Sequence, residues 1–173
     1  VGSTDAAQYG AGRQPKMAEA GSLLADCIDF DGVYDMLQTG TTVIDQTSAG
    51  TISHFGVVNV ASDEAGYLWG SSGGTTTLGI SLYANSDSKF SVTNGYVTRD
   101  NIARAGGTEL VSACYSSDSA NLLVDGAGTQ TSVGGYNFTV NNEFTIGNRE
   151  DGTSSATFLD GSIKEIIACK SDK

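Results

Sequence analysis

The sequence predicts an all-β domain, a two-sheet antiparallel β-sandwich preceded by a short irregular amino-terminal arm. Three observations carry this expectation. The 173 residues include 23 Gly and only one Pro, a balance that suits short strands joined by tight turns. Strand-length apolar segments recur with turn signals every 8–12 residues or so. Within several of these segments apolar and polar residues alternate with the period of two expected of a half-buried strand. The length supports one well-buried core rather than two, and a hydrophobic fraction of 39% argues against disorder.

Residues 1–25 form the arm and 26–173 the sandwich. The arm is polar and rich in Gly and Ala, with a single helical turn expected around Pro15 to Ala20, since Pro suits the first helical position. From Cys27 the chain is expected to run strand, turn, strand to its end. Ile52 to Val60 is an apolar-rich segment interrupted by His54 and Gly56. Leu78 to Ala84 alternates strictly, which places Leu82 inward and Tyr83 outward. Asn94-Gly95 between alternating segments marks a β-hairpin. Glu109 to Ser116, Asn121 to Asp125 and Thr129 to Val133 follow as strands, with Asp125-Gly126 and Gly134-Gly135 able to take positive φ. Phe144 to Gly147 and Ser162 to Lys170 close the domain, separated by the polar loop Asn148 to Ala156.

Nine Lys and Arg stand against 20 Asp and Glu, a formal charge of −11 at pH 7. A nucleic-acid or anionic-membrane partner requires a basic patch, and the sequence contains no cluster of basic residues. No apolar run approaches the roughly 20 residues of a membrane span, and the first residues lack the basic and apolar stretches of a secretory signal. The acidity fits a protein kept soluble at high local concentration. Cys27, Cys114 and Cys169 are too far apart for a CxxC-type metal or redox site. If the first and last core strands pair, Cys27 and Cys169 approach each other, but buried free thiols are the favoured reading.

Three phrases, in order, resemble the laminin-G-like jelly-roll domains of the concanavalin A-like lectin and glucanase superfamily. Ile28-Asp-Phe-Asp-Gly-Val-Tyr-Asp35 is similar to that group's opening hairpin. Leu122-Leu-Val-Asp-Gly126 is similar to its central strand and turn. Phe144-Thr-Ile-Gly147 with Phe158-Leu-Asp-Gly-Ser-Ile-Lys-Glu-Ile-Ile167 is similar to its closing pair. The resemblance spans Asp26 to Ser171 and implies the jelly-roll fold. It implies less about function, because the superfamily holds lectins, adhesion modules, glycosidases and structural domains of bacterial and bacteriophage surfaces.

Retaining glycosidases of that superfamily need two carboxyl groups about 5–5.5 Å apart, usually as Glu-x-Asp-x-Glu on one strand. The chain has no such motif, and Asp29-Phe-Asp31 lacks a Glu partner. His54, the single histidine, has no nucleophile elbow near it and is expected to be a strand residue with a structural hydrogen bond. Calcium would need converging oxygen ligands; Asp63-Glu64 and Glu150-Asp151 are the candidates, and both read better as solvated turns. Sugar binding needs an aromatic face and planar polar groups. Tyr67 and Trp69, two apart on one expected strand, with Tyr83, Tyr115 and Arg149, are the candidate carbohydrate-binding residues, although Trp69 also suits a core.

These readings lead to a non-enzymatic surface module without a cofactor, most consistent with a virion structural protein such as a bacteriophage head-decoration or tail-associated protein. Its expected partners are other virion or surface proteins, with copies of itself and cell-surface glycans among them, at a virion surface or outside the cell. A free lectin or adhesion domain is the alternative, and a glycoside hydrolase stands behind both.

Overall fold

Strict alternation along Thr51–Val60, with Ile52, His54, Gly56, Val58 and Val60 buried and Thr51, Phe55 and Asn59 exposed, makes this segment a strand with one face on a core. In a computed structural model of the chain, residues 6–7, 14–16, 18–19, 22–23, 26–39, 51–60, 65–71, 80–85, 89–93, 98–103, 105–116, 119–132, 144–148 and 158–171 are described. Numbered in chain order, seven strands form one sheet in the sequence β1 (Ala6–Ala7), β5 (Leu37–Thr39), β14 (Thr145–Ile146), β7 (Gly66–Ser71), β8 (Ile80–Asn85), β9 (Lys89–Thr93), β10 (Thr98–Ala103). Six form the second, in the sequence β13 (Ala127–Ser132), β12 (Ser119–Val124), β11 (Thr108–Tyr115), β6 (Thr51–Val60), β15 (Asp160–Ser171), β4 (Ile28–Asp31). A short pair, β2 (Ala18–Glu19) and β3 (Ser22–Leu23), stands apart. Pairing is antiparallel throughout.

The two sheets meet through side chains chosen by that alternation. The core cluster runs from Phe30 through Ile52, Val58, Leu68, Trp69, Phe90, Val111, Tyr115 and Leu122 to Leu159 and Ile163. At its centre the Trp69 ring of the seven-stranded sheet lies against the backbone of β6. A Cβ placed on Gly56 would fall 2.4 Å from Trp69 Cη2, so the glycine is what admits the indole between the sheets. Burying an indole removes about 200 Å2 from water, a gross stabilisation on the order of 5 kcal/mol.

Several sequence expectations meet the structure directly. The expected strands appear within a few residues of their predicted ends, and β9 pairs with β10 through Thr93 and Thr98, as a hairpin at Asn94-Gly95 requires; the turn itself lies outside the described residues, as do Asp63-Glu64, Gly134-Gly135 and Glu150-Asp151. The side chains of Leu82 and Tyr83 are likewise outside them. The expected helical turn near Pro15 does not form in the described part of that segment. Lys16 instead bridges to Asp29, the two exchanging N–H···O bonds of 2.8 and 2.9 Å, and Ala18–Glu19 is extended. Tertiary pairing with the sandwich edge outweighs the weak local preference of Pro for a helix start.

Cys27 and Cys169 do not approach. Ile28 stands opposite Ile163, which leaves Cys169 about 17 Å farther along β15 from the position facing Cys27. All three cysteines are free, and they are not buried: Cys27 and Cys114 are half-buried and Cys169 is exposed. Cys114 and Cys169 both flank Ser53, one from each neighbouring strand, so their Cα atoms are about 10 Å apart, beyond disulfide reach.

Candidate functional site

The opening phrase of the sandwich folds into a rigid turn between β4 and β5. Asp31 anchors it: Oδ1 accepts the N–H of Val33 at 2.9 Å and of Tyr34 at 3.2 Å. Burial pushes the Asp31 carboxyl up, but these backbone N–H groups outweigh it and hold the carboxyl below the usual carboxylate range. Gly32 at φ +72° makes the reversal, and its N–H donates to Leu159 O at 2.9 Å. Asp35, buried, accepts the Asp31 N–H at 3.1 Å. Its own carboxyl is pushed up by desolvation and by the neighbouring Asp31 charge.

The turn presents Val33 and Tyr34 to solvent, and Tyr34 is 50% exposed. Its ring is steadied by an edge contact on Phe158, with centroids 5.8 Å apart and planes at 69°. Beneath it, Leu159 N–H donates to Gly147 O and Gly147 N–H to Leu68 O, at 2.8 and 2.9 Å. Gly147 takes φ +83°, and a Cβ there would sit 2.3 Å from the Phe30 ring, so the floor of the turn is packed to the limit. Register brings Asp160 opposite Asp31, and both are exposed. The arrangement is a preorganised aromatic tip flanked by hydrogen-bond acceptors, the combination that stacks on a sugar ring and accepts from its hydroxyls.

Among the described residues, Tyr67, Trp69 and Tyr115 do not form the predicted sugar platform, because all three are buried. Tyr67 and Trp69 were expected on one face, but a β-bulge between them breaks the period. Leu68 and Trp69 both enter the core cluster, whereas Tyr67 is buried outside it. Trp69 and Tyr115 are fully buried and offer no ring face to a ligand. Tyr83 stands opposite Tyr67 in the β7–β8 register, its side chain outside the described residues, and Arg149 lies outside them altogether. Tyr34 was missed by the sequence reading; the signal for it was present in Asp31-Gly32-Val33-Tyr34, where an Asp-Gly turn throws the next two side chains outward.

His54 is also not where a catalytic base would be. It is fully buried between Tyr115 and Phe144, with both ring centroids 5.5 Å away in edge geometry. The expected structural hydrogen bond is absent: neither ring nitrogen has a partner among the described residues. Burial lowers its pKa to about 4. Among the described residues no group of three or more His, Cys, Asp and Glu side chains is placed to hold a metal ion, and no helix is long and apolar enough to cross a membrane.

No family model and no curated protein sequence matches the chain. Solved structures do. A heptameric SAP-like pentraxin from Limulus polyphemus superposes with a TM-score of 0.64 at 14% identity, covering 82% of this chain and 74% of that one. The mouse laminin alpha1 chain domains LG4-5 give 0.64 at 15% identity over 94% of this chain and 46% of that chain. A Ruminococcus gnavus IT-sialidase CBM40 bound to alpha2,3 sialyllactose gives 0.58 at 12% identity over 83% and 89%. The fold is a concanavalin A-like jelly roll. In this jelly roll the Asp-Gly turn is the β4–β5 connection, tied at its base to the start of the closing strand β15. A Trypanosoma rangeli sialidase also shares the fold at a TM-score of 0.64 and 12% identity, but the chain spans only 26% of it.

Proposed function

We propose that this jelly roll is a non-enzymatic binding module whose ligand is a glycan held at the β4–β5 turn. The observation that carries the reading is Tyr34, half-exposed, with its backbone N–H held by the Asp31 carboxylate and its ring set edge-on against Phe158. A site preorganised in this way loses little entropy on binding. Against catalysis, Asp31 is engaged in holding the turn and His54 is sealed in the core, so neither is free to move a proton at a bound substrate. Jelly-roll neighbours that include a carbohydrate-binding module seen with a sialylated sugar support the glycan class.

Within that class, the setting we favour is a virion, as a bacteriophage head-decoration or tail-associated protein carrying the module outward among other particle proteins. The charge of −11 supports a role at a crowded, solvent-exposed surface. An extracellular lectin or adhesion domain is the second reading, favoured by the laminin and pentraxin neighbours.

A glycan panel followed by NMR titration tests the site. Tyr34→Ala is expected to weaken binding about tenfold, roughly the 1.4 kcal/mol of one stacking contact, while the variant stays folded with at most a small fall in melting temperature from the lost Phe158 contact. Unaltered affinity in that variant removes the turn from the site. Imaging of the native source tests the setting: the protein should decorate a particle with defined symmetry.

A further inference from the structure

We infer that the outer face of the six-stranded sheet is an interface with a second copy of this chain. Three of the five large apolar side chains exposed in the described structure lie on this one face: Phe55 at 36%, Leu110 at 48% and Ile167 at 51%. The register makes them neighbours. Phe55 stands directly across from Ile167 and from Ser112, Ser112 from Leu123, and Leu110 from Val57. The next row, Asn121, Cys114, Ser53 and Cys169, carries no charge.

The charge pattern selects the occupant. A chain of −11 repels an anionic lipid or nucleic acid, and a basic protein partner would be met through carboxylates, which these two rows exclude. Two copies of so acidic a chain can approach only where their carboxylates are not apposed, and the Phe55 and Ser53 rows provide that. The Leu110 row beside them is bounded by Glu165, opposite Val57, and by Asp125, whose Oδ1 accepts the Leu110 N–H. At the β15 end of the Leu110 row stand Lys164 and Glu165, adjacent and both exposed at a break in the β15 register. A cation beside an anion is self-complementary across a two-fold axis, each meeting its opposite on the partner. Four strands about 4.8 Å apart, over three outward rows about 6.8 Å apart, give roughly 400 Å2 per copy. Two such faces, about 800 Å2 together, fall below the size of stable specific interfaces, so the dimer is weak and reversible.

Sedimentation of the whole chain from about 5 to 500 µM tests this. The weight-average mass is expected to rise from one chain toward two. Ile167→Lys, an exposed change that leaves the melting temperature intact, should weaken association more than tenfold by burying an unpaired charge. Alkylation of Cys169, followed by mass spectrometry, should slow at high concentration in the wild type and not in the variant. A monomer at every concentration overturns the interface, as does association untouched by Ile167→Lys. A monomer that instead floats with zwitterionic vesicles assigns the face to lipid and also overturns it. The glycan reading is tested through Tyr34 alone, so a monomer that still binds glycan overturns only the interface.

Discussion

His54 shows what a single residue can cost a fold. It occupies an inward position of β6, where alternation demands an apolar side chain, and it is tolerated only as the neutral ring. Its pKa falls from 6.5 to about 4 on folding, so the unfolded chain binds a proton that the folded chain refuses. Above pH 6.5 the residue makes no pH-dependent contribution. As pH falls from 6.5 toward 4 stability is lost, by about 3 kcal/mol for a shift of this size, and below 4 the loss levels off. Urea unfolding at pH 7 and pH 4 should therefore show His54→Leu gaining on the wild type by about that amount as pH drops. Sequence placed His54 on a strand but not in the core, because a polar residue on an inward position has no local signature. Glu109 is the parallel case: it is buried at the start of β11, with Oε1 accepting the Ala105 N–H at 2.7 Å.

At the scale of elements, the turn after β4 depends on one carboxylate. Asp31→Ala removes the acceptor for two N–H groups and should cost about 1 kcal/mol in denaturant unfolding, with Asp31→Asn recovering most of it. The depressed Asp31 pKa has the matching sign: its contribution is present above the usual carboxylate range and is lost as pH falls through the lowered value. Strand positions were legible because period-two alternation and Asn-Gly or Asp-Gly punctuation are local, as β6, β11 and the β12–β13 turn at Asp125-Gly126 show. The β-bulge in β7 was not legible. Gly66-Tyr-Leu-Trp-Gly70 reads as a simple alternation, and the register shift that turns Trp69 inward is set by its pairing with Leu82 on β8.

For the whole molecule, the decisive contact is between sheets. Gly56→Ala would drive a methyl into Trp69 and to 3.1 Å from Glu165 O, so the sheets must part or the indole must leave its place. The expected loss is about 3 kcal/mol, read by calorimetry as a fall in Tm of about 6 to 12 °C. The sequence by itself determined the all-β class, most strand positions and the jelly-roll likeness of the opening and closing phrases, since composition, alternation and turn chemistry act over a few residues. Only the tertiary structure decided which aromatics face solvent and which fill the core, why the thiols stay apart, and that Phe55, Leu110 and Ile167 share one exposed face. Those outcomes depend on register between strands distant in sequence, and a one-residue shift there exchanges the inside of a sheet for the outside.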